Sequence, residues 1–199
     1  MSQPSFLVFD VGDVLVPSGD VLPVLASELG ITVDELWAAY WRERRAFDLG
    51  GDEDTYWTSI LAELGREPDP ALVRRLSALD SRKWGTLPPS GASLLAGLDG
   101  RRLGLLSNAP APLAAGVRAS SWSAAFEVLA FSAELGLAKP DPEIYARADE
   151  LFGTAPGDVL FFDDRQDNVA AAREHGWSAV RWTDGMSAQD VLIAADQLS

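Results

Sequence analysis

Short apolar runs that stop at polar residues recur along the chain, and stretches with helical spacing separate them. The first run, Ser5-Phe6-Leu7-Val8-Phe9, stops at Asp10. Continuous apolarity over so few positions predicts a strand buried on both faces, as in a parallel sheet. Similar runs follow at Leu103-Gly104-Leu105-Leu106, leading into Ser107-Asn108, and at Val128-Leu129-Ala130-Phe131. Val159-Leu160-Phe161-Phe162 leads into Asp163-Asp164, and Ala179-Val180-Arg181-Trp182 is the last.

Between the first two runs the pattern is helical, from about residue 20 to residue 83. Thr32 and Glu35 have capping-box spacing and open a helix carrying Leu36, Trp37, Tyr40 and Trp41. Gly50-Gly51 ends it, and Asp52 or Asp54 caps a helix over 56–64. Pro68 and Pro70 start another that ends near Lys83. Further helices are expected over 90–98, after Asn108, from Asp141, over 168–175 and from Ser187, with Asp190 three residues on. Strands alternating with helices predict an α/β fold, a doubly wound parallel sheet with a helical cap inserted after the first strand. The expected division is a core of residues 1–16 and 85–199 and a cap of residues 17–84.

Composition narrows the chemistry. The 199 residues include 30 acidic and 16 basic ones, a net charge of −14 that disfavours nucleic acid and anionic membranes as partners. No cysteine is present, which excludes disulfides, thiol nucleophiles and thiolate metal sites. A single histidine, His175, excludes a multi-histidine metal site, and no G-x-S-x-G elbow accompanies it. The first basic residue is Arg42 and no apolar run reaches membrane-spanning length, so a cytoplasmic protein is expected.

Ligands of open parallel sheets bind beyond the carboxyl ends of the strands. The tips Asp10, Ser107-Asn108 and Asp163-Asp164 should therefore share one crevice. Carboxylates brought together repel one another unless a cation sits among them, and a hard cation such as Mg²⁺ suits oxygen ligands. One carboxylate can then attack a phosphoryl group. Ser107 and the amide of Asn108 can hold phosphate oxygens, and Lys139, in a proline-flanked loop, can neutralise nucleophile and phosphate.

These segments resemble the motifs of haloacid-dehalogenase-superfamily hydrolases of the phosphatase type with a small helical cap. They are Phe9-Asp10-Val11-Gly12-Asp13-Val14-Leu15, then Leu105-Leu106-Ser107-Asn108, then Lys139-Pro140-Asp141-Pro142, then Phe161-Phe162-Asp163-Asp164-Arg165-Gln166-Asp167-Asn168 followed by Gly176. The resemblance spans nearly the whole chain. It implies a Mg²⁺-dependent phosphatase of a small phosphorylated metabolite, a sugar phosphate, working as a monomer or homodimer. Asp10 is then nucleophile and metal ligand, Ser107, Asn108 and Lys139 bind phosphate, and Asp163, Asp164 and the Gly12 carbonyl complete the metal site.

One position departs from the pattern. Relatives usually carry an acid–base aspartate two residues after the nucleophile, where this chain has Gly12; some sugar-phosphate phosphatases of the superfamily resemble it there. The loss predicts a slower enzyme or a good leaving group. Asp13 is one residue too far on to replace it. The alternatives are a metal-free 2-haloacid dehalogenase, which has no use for Asp163-Asp164, and a sugar phosphomutase, which needs the missing acid. A non-catalytic binding protein on this fold rests on Gly12 alone, and a phospho-receiver domain places its acidic pair first rather than last. In the cap the aromatic residues are expected to pack, Arg45 is the expected substrate contact, Asn168 an orienting residue and His175 a helix end.

Overall fold

The computed structural model describes residues 4–197. Five strands form one parallel sheet in the order β3-β2-β1-β4-β5. They are β1 (Phe6–Phe9), β2 (Arg102–Ser107), β3 (Val128–Phe131), β4 (Val159–Asp163) and β5 (Ser178–Arg181). The continuous apolar runs have a simple cause. Leu7, Phe9, Leu103, Leu105, Leu160 and Phe162 face one core, and the intervening Phe6, Val8, Leu106, Val159 and Phe161 face a second core behind the sheet. Both faces are dry, so both sets of alternate positions are apolar.

Gly104 shows how closely the second core is packed. A Cβ there would lie 2.3 Å from the Phe6 ring, which stacks on Phe152 with centroids 5.1 Å apart.

Six α-helices lie between β1 and β2, and the first five form the insert: α1 (Leu22–Leu29), α2 (Val33–Arg42), α3 (Arg44–Asp48), α4 (Glu53–Glu63) and α5 (Pro70–Trp84). Their starts follow the side chains available. Thr32 and Glu35 form a capping box at α2, Asp52 caps α4, and Asp69 caps α5 with Pro70 in its first turn. The expected single helix through residues 33–50 is broken at Glu43, whose φ/ψ of −100°/9° is non-helical, so Arg44 begins a separate short helix.

The remaining helices are α6 (Pro89–Gly97), α7 (Ala111–Ala119), α8 (Ser132–Leu135), α9 (Pro142–Phe152), α10 (Gln166–His175) and α11 (Ala188–Gln197). Ser187 and Asp190 exchange hydrogen bonds before α11, and His175 is the last residue of α10, with Nε2 2.6 Å from Asp149 Oδ2. Among the described residues no helix is long and apolar enough to cross a membrane.

Register places the functional end. Phe9 pairs with Leu105 on one side and Phe162 on the other. Strand β1 is the central strand, and the chain leaves it toward β2 and β3 before crossing back to β4. The carboxyl ends of β1, β2 and β4 thus flank the point where strand order reverses, the place where such sheets form a crevice.

Candidate active site

Asp10, Asp163 and Asp164 each offer a carboxylate oxygen, and these oxygens lie within 4.8 Å of one another. Asp10 leaves the end of β1 and is 8% exposed. Its Oδ1 accepts the Val11 N–H at 2.7 Å and lies 3.1 Å from Lys139 Nζ, and the Ser107 hydroxyl adds a hydrogen bond to the same carboxylate. One oxygen is thereby fixed and the carboxylate is aimed.

Lys139 reaches the cluster from the loop between α8 and α9, with a side chain only 1% exposed. Its ammonium donates to the Leu106 carbonyl at 2.8 Å and to Asp163 Oδ2 at 2.6 Å, and approaches Asp10 Oδ1. An ammonium has three protons, so these acceptors use all of them. In this arrangement Lys139 braces both Asp10 and Asp163. Burial works against that charge, but the neighbouring Asp10 and Asp163 carboxylates prevail and raise the lysine pKa.

Asn108 is held through its side chain. Its Nδ2 donates to the Lys139 carbonyl and its Oδ1 accepts the Lys139 N–H, both at 2.8 Å. The side chain clamps the lysine loop. Ser107, 3% exposed, lines the cavity beside Asp10.

The acidic pair divides its work. Asp163 is fully buried; its oxygens accept from Lys139, from the Arg165 N–H at 2.9 Å and from Asn168 Nδ2 at 3.0 and 3.1 Å. Asn168 thus orients Asp163. Asp164 is half-buried and lines the cavity with Asp10. The Gly12 carbonyl, also at the cavity, accepts no backbone hydrogen bond from a described residue. Asp13 has a left-handed φ of 53° and its Oδ1 accepts the Ser18 N–H at 2.7 Å, so it shapes the turn.

The donor set suits a hard divalent cation. Fully ionised, the carboxylates carry two charges more than Lys139 cancels, and the Gly12 carbonyl adds a neutral oxygen. Without a cation, the Asp10 pKa is pushed up to about 6, by burial first and by Asp163, against the opposing effect of Lys139. Asp164 is pushed up to about 7, again by burial first and then by Asp10 and Asp163.

The sign of the consequence is definite. In the unfolded chain both groups titrate near 3.8, so the folded metal-free protein gains proton-linked stability that is complete below that value and disappears as pH rises through about 6 and 7. A divalent cation takes the place of those protons. The rise in melting temperature caused by saturating Mg²⁺ is therefore expected to grow between pH 5 and pH 8. Thermal unfolding in EDTA and in Mg²⁺ across that range checks it, and an increment that stays flat or absent would rule out this cluster as the cation site.

A cavity of about 490 Å³ opens above these residues. Its far wall comes from the helical insert and includes Trp37, Trp41, Arg44, Arg45, Asp48 and Trp84. Arg45 stands at the rim and pairs with Asp141 at 2.8 Å across the boundary between insert and core, both side chains about half exposed. Arg44 and Asp48, which sequence reasoning passed over, are buried. The available signal was spacing: Arg44 lies one helical turn after Tyr40 and one before Asp48, whereas Arg45 is rotated off that face.

The haloacid dehalogenase-like hydrolase family matches residues 7–176. Solved structures agree in fold. The L-2-haloacid dehalogenase from Xanthobacter autotrophicus is 22% identical with a TM-score of 0.75, over 95% of this chain and 81% of that one. A HAD family enzyme from Bacteroides thetaiotaomicron, in complex with magnesium and inorganic phosphate, is 21% identical with a TM-score of 0.67, over 92% of this chain and 96% of that one. A HAD-like family hydrolase from Porphyromonas gingivalis is 19% identical with a TM-score of 0.70, over 96% and 97%. With the tip of β1, the lysine loop and the acidic pair all inside the matched span, the chain belongs to the haloacid dehalogenase-like hydrolase family.

Proposed function

We propose that this protein is a Mg²⁺-dependent phosphomonoester hydrolase that works through an aspartyl-phosphate at Asp10 on a small phosphorylated metabolite, a sugar phosphate. The observation that carries this reading is the second acidic residue, Asp164, open to the cavity within 4.8 Å of Asp10. A metal-free carboxylate nucleophile is hindered by another carboxylate at that distance, whereas a cation site requires it. Asp10, Asp164 and the Gly12 carbonyl would hold Mg²⁺, with Asp163 behind them. When bound, Mg²⁺ supplies charge neutralisation between nucleophile and phosphate.

The chain's own groups account for the rest. With Oδ1 held by the Val11 N–H and Lys139, Asp10 presents Oδ2 to phosphorus. An oxygen–phosphorus bond forms there as the bond to the leaving alcohol oxygen breaks. Ser107 and the Asn108 backbone steady the phosphoryl oxygens. Water then attacks the acyl phosphate, releasing inorganic phosphate and restoring the Asp10 carboxylate. The helical insert, residues 17–84, acts as the cap that covers the substrate.

Gly12 has no proton to give, so the departing oxygen takes one from solvent. A Cβ at position 12 would meet the Trp84 ring at 3.6 Å, so an indole borders the place where an acid would stand. Turnover is therefore expected to depend steeply on the leaving group, with aryl phosphates faster than simple alkyl phosphates by about 10²-fold or more, the lower end of what a general acid contributes. Rates over phosphate esters of graded alcohol acidity check this, and a flat series would mean that another residue supplies the proton.

The primary test is phosphate release over a panel of phosphorylated metabolites with Mg²⁺ or EDTA, beside halide release from 2-haloacids. Mg²⁺-dependent phosphate release supports the reading. Halide release unaffected by EDTA, with no phosphate released, overturns it in favour of a dehalogenase.

A further inference from the structure

The cavity wall contributed by the helical insert is organised by a buried polar network centred on Arg44. Its Nε donates to Asp48 Oδ1 at 2.7 Å, and its Nη1 donates to the Tyr40 hydroxyl. The guanidinium lies 5.2, 5.6 and 5.9 Å from the ring centroids of Tyr40, Trp41 and Trp84. The Tyr40 hydroxyl donates to Asp80 Oδ1 at 2.7 Å and accepts the Trp84 Nε1–H at 3.0 Å. Arg44 is therefore fixed on its own insert, and its aromatic surroundings already hold a cation.

Asp48 has a different balance of bonds. Arg44 holds Oδ1, but Oδ2 accepts no hydrogen bond from any described residue. The residue is 8% exposed and lines the same cavity as Asp10 and Lys139. Its position relative to the phosphate site is also set. The Asp48 carbonyl accepts the buried Ser132 hydroxyl, and the same hydroxyl oxygen accepts the Ala109 N–H, one residue beyond Asn108. The end of α3 is thus joined through Ser132 to Ala109, in the segment that follows Ser107 and Asn108.

A carboxylate oxygen only accepts, so it takes a donor from the ligand and repels a second anionic group. Two donor types qualify, hydroxyl and ammonium. The Asp48 charge is already matched by Arg44, its ion-pair partner, so a neutral hydroxyl is the donor that keeps the pair balanced. Trp37 and Trp41 line the same cavity and offer apolar faces.

We propose that Asp48 is the specificity residue that selects the leaving alcohol: its free oxygen accepts a hydrogen bond from a hydroxyl on the departing part of the substrate. The ligand class is then a monophosphate of a neutral polyhydroxylated compound, and bisphosphates and phosphorylated acids are excluded at that position. This rests on the phosphatase reading above and adds to it a rule for which hydroxylated esters are chosen.

The test compares pentose and hexose monophosphates, their monodeoxy analogues and p-nitrophenyl phosphate, with wild-type protein and Asp48→Asn. For the preferred sugar phosphate, deletion of one particular hydroxyl is expected to lower kcat/KM by about 10- to 100-fold in the wild type, the scale of a hydrogen bond to a buried charge. Asp48→Asn is expected to shrink that difference, chiefly by raising KM for the hydroxylated ester, and to raise KM much less for p-nitrophenyl phosphate, which bears no hydroxyl.

Wild-type protein that hydrolyses p-nitrophenyl phosphate but loses less than about threefold for every deleted hydroxyl overturns the inference and leaves the phosphatase reading standing. Asp48→Asn that slows every substrate equally, p-nitrophenyl phosphate included, overturns it as well. If the variant does not fold, the wild-type deoxy series decides. No turnover of any ester by the wild type sinks both readings.

Discussion

Asparagine in place of Asp10 is expected to abolish Mg²⁺-dependent phosphate release, on the order of 10⁴-fold or more, in a protein that stays folded. The amide is nearly isosteric with the carboxylate. Its oxygen can still accept the Val11 N–H and face Lys139, so the end of β1 keeps its anchoring. What disappears is the nucleophile, because an amide oxygen does not form a stable acyl phosphate. The substitution also removes one of the acidic ligand groups of the cluster. The stabilisation by Mg²⁺ should therefore shrink together with the activity, while circular dichroism changes little. Phosphate release that survives Asp10→Asn would transfer the nucleophilic role elsewhere and remove the basis of the mechanism.

Lys139→Met is expected to be costly in two measurable ways. Methionine fills much of the lysine stem's volume but leaves buried Asp163 and Asp10 without their cation. Breaking a buried charge pair on one side costs about 3–5 kcal/mol. For a chain of this size that is a fall in melting temperature of roughly 6–20 °C in the absence of metal. Turnover should drop by about 10²–10³-fold, the scale seen when one preorganised stabilising group is lost. Mg²⁺ binding should move the other way. Lys139 places a positive charge against the carboxylates that would hold the metal, so its removal should keep or enlarge the Mg²⁺-induced thermal shift. A variant that loses activity and Mg²⁺ response together would make Lys139 part of the cation site's scaffold rather than its electrostatic counterweight.

The parts of this protein that could be read along the chain share a local cause. Two-sided burial makes each strand a continuous apolar run, and all five runs became strands of the one sheet. Caps such as Thr32 with Glu35, Asp52, and Pro70 after Asp69 announce helices because their bonds close within a few residues. The convergence of Asp10, Ser107 and Asp163-Asp164 followed from strand order alone, since parallel strands deliver their carboxyl ends to one edge.

The insert was less legible. The break at Glu43 carries no glycine or proline to mark it, so the separate short helix that holds buried Arg44 and rim Arg45 was not foreseen.

The sequence by itself therefore determined the α/β architecture, the helical insertion after the first strand, and the residues gathered at the functional end of the sheet. Those features depend on periodicity, local capping and chain order, which are properties of neighbouring residues. Tertiary structure alone decided how the gathered residues divide the work. Lys139 has its protons on Leu106, Asp163 and Asp10, and Asn108 clamps the lysine loop 31 residues away. Asp163 lies behind while Asp164 stays open, and Asp48 faces the cavity because Arg44 and Ser132 hold it there. Each of these outcomes is a competition for a limited number of donors and acceptors in a space closed to water, and that competition is settled only when distant segments meet.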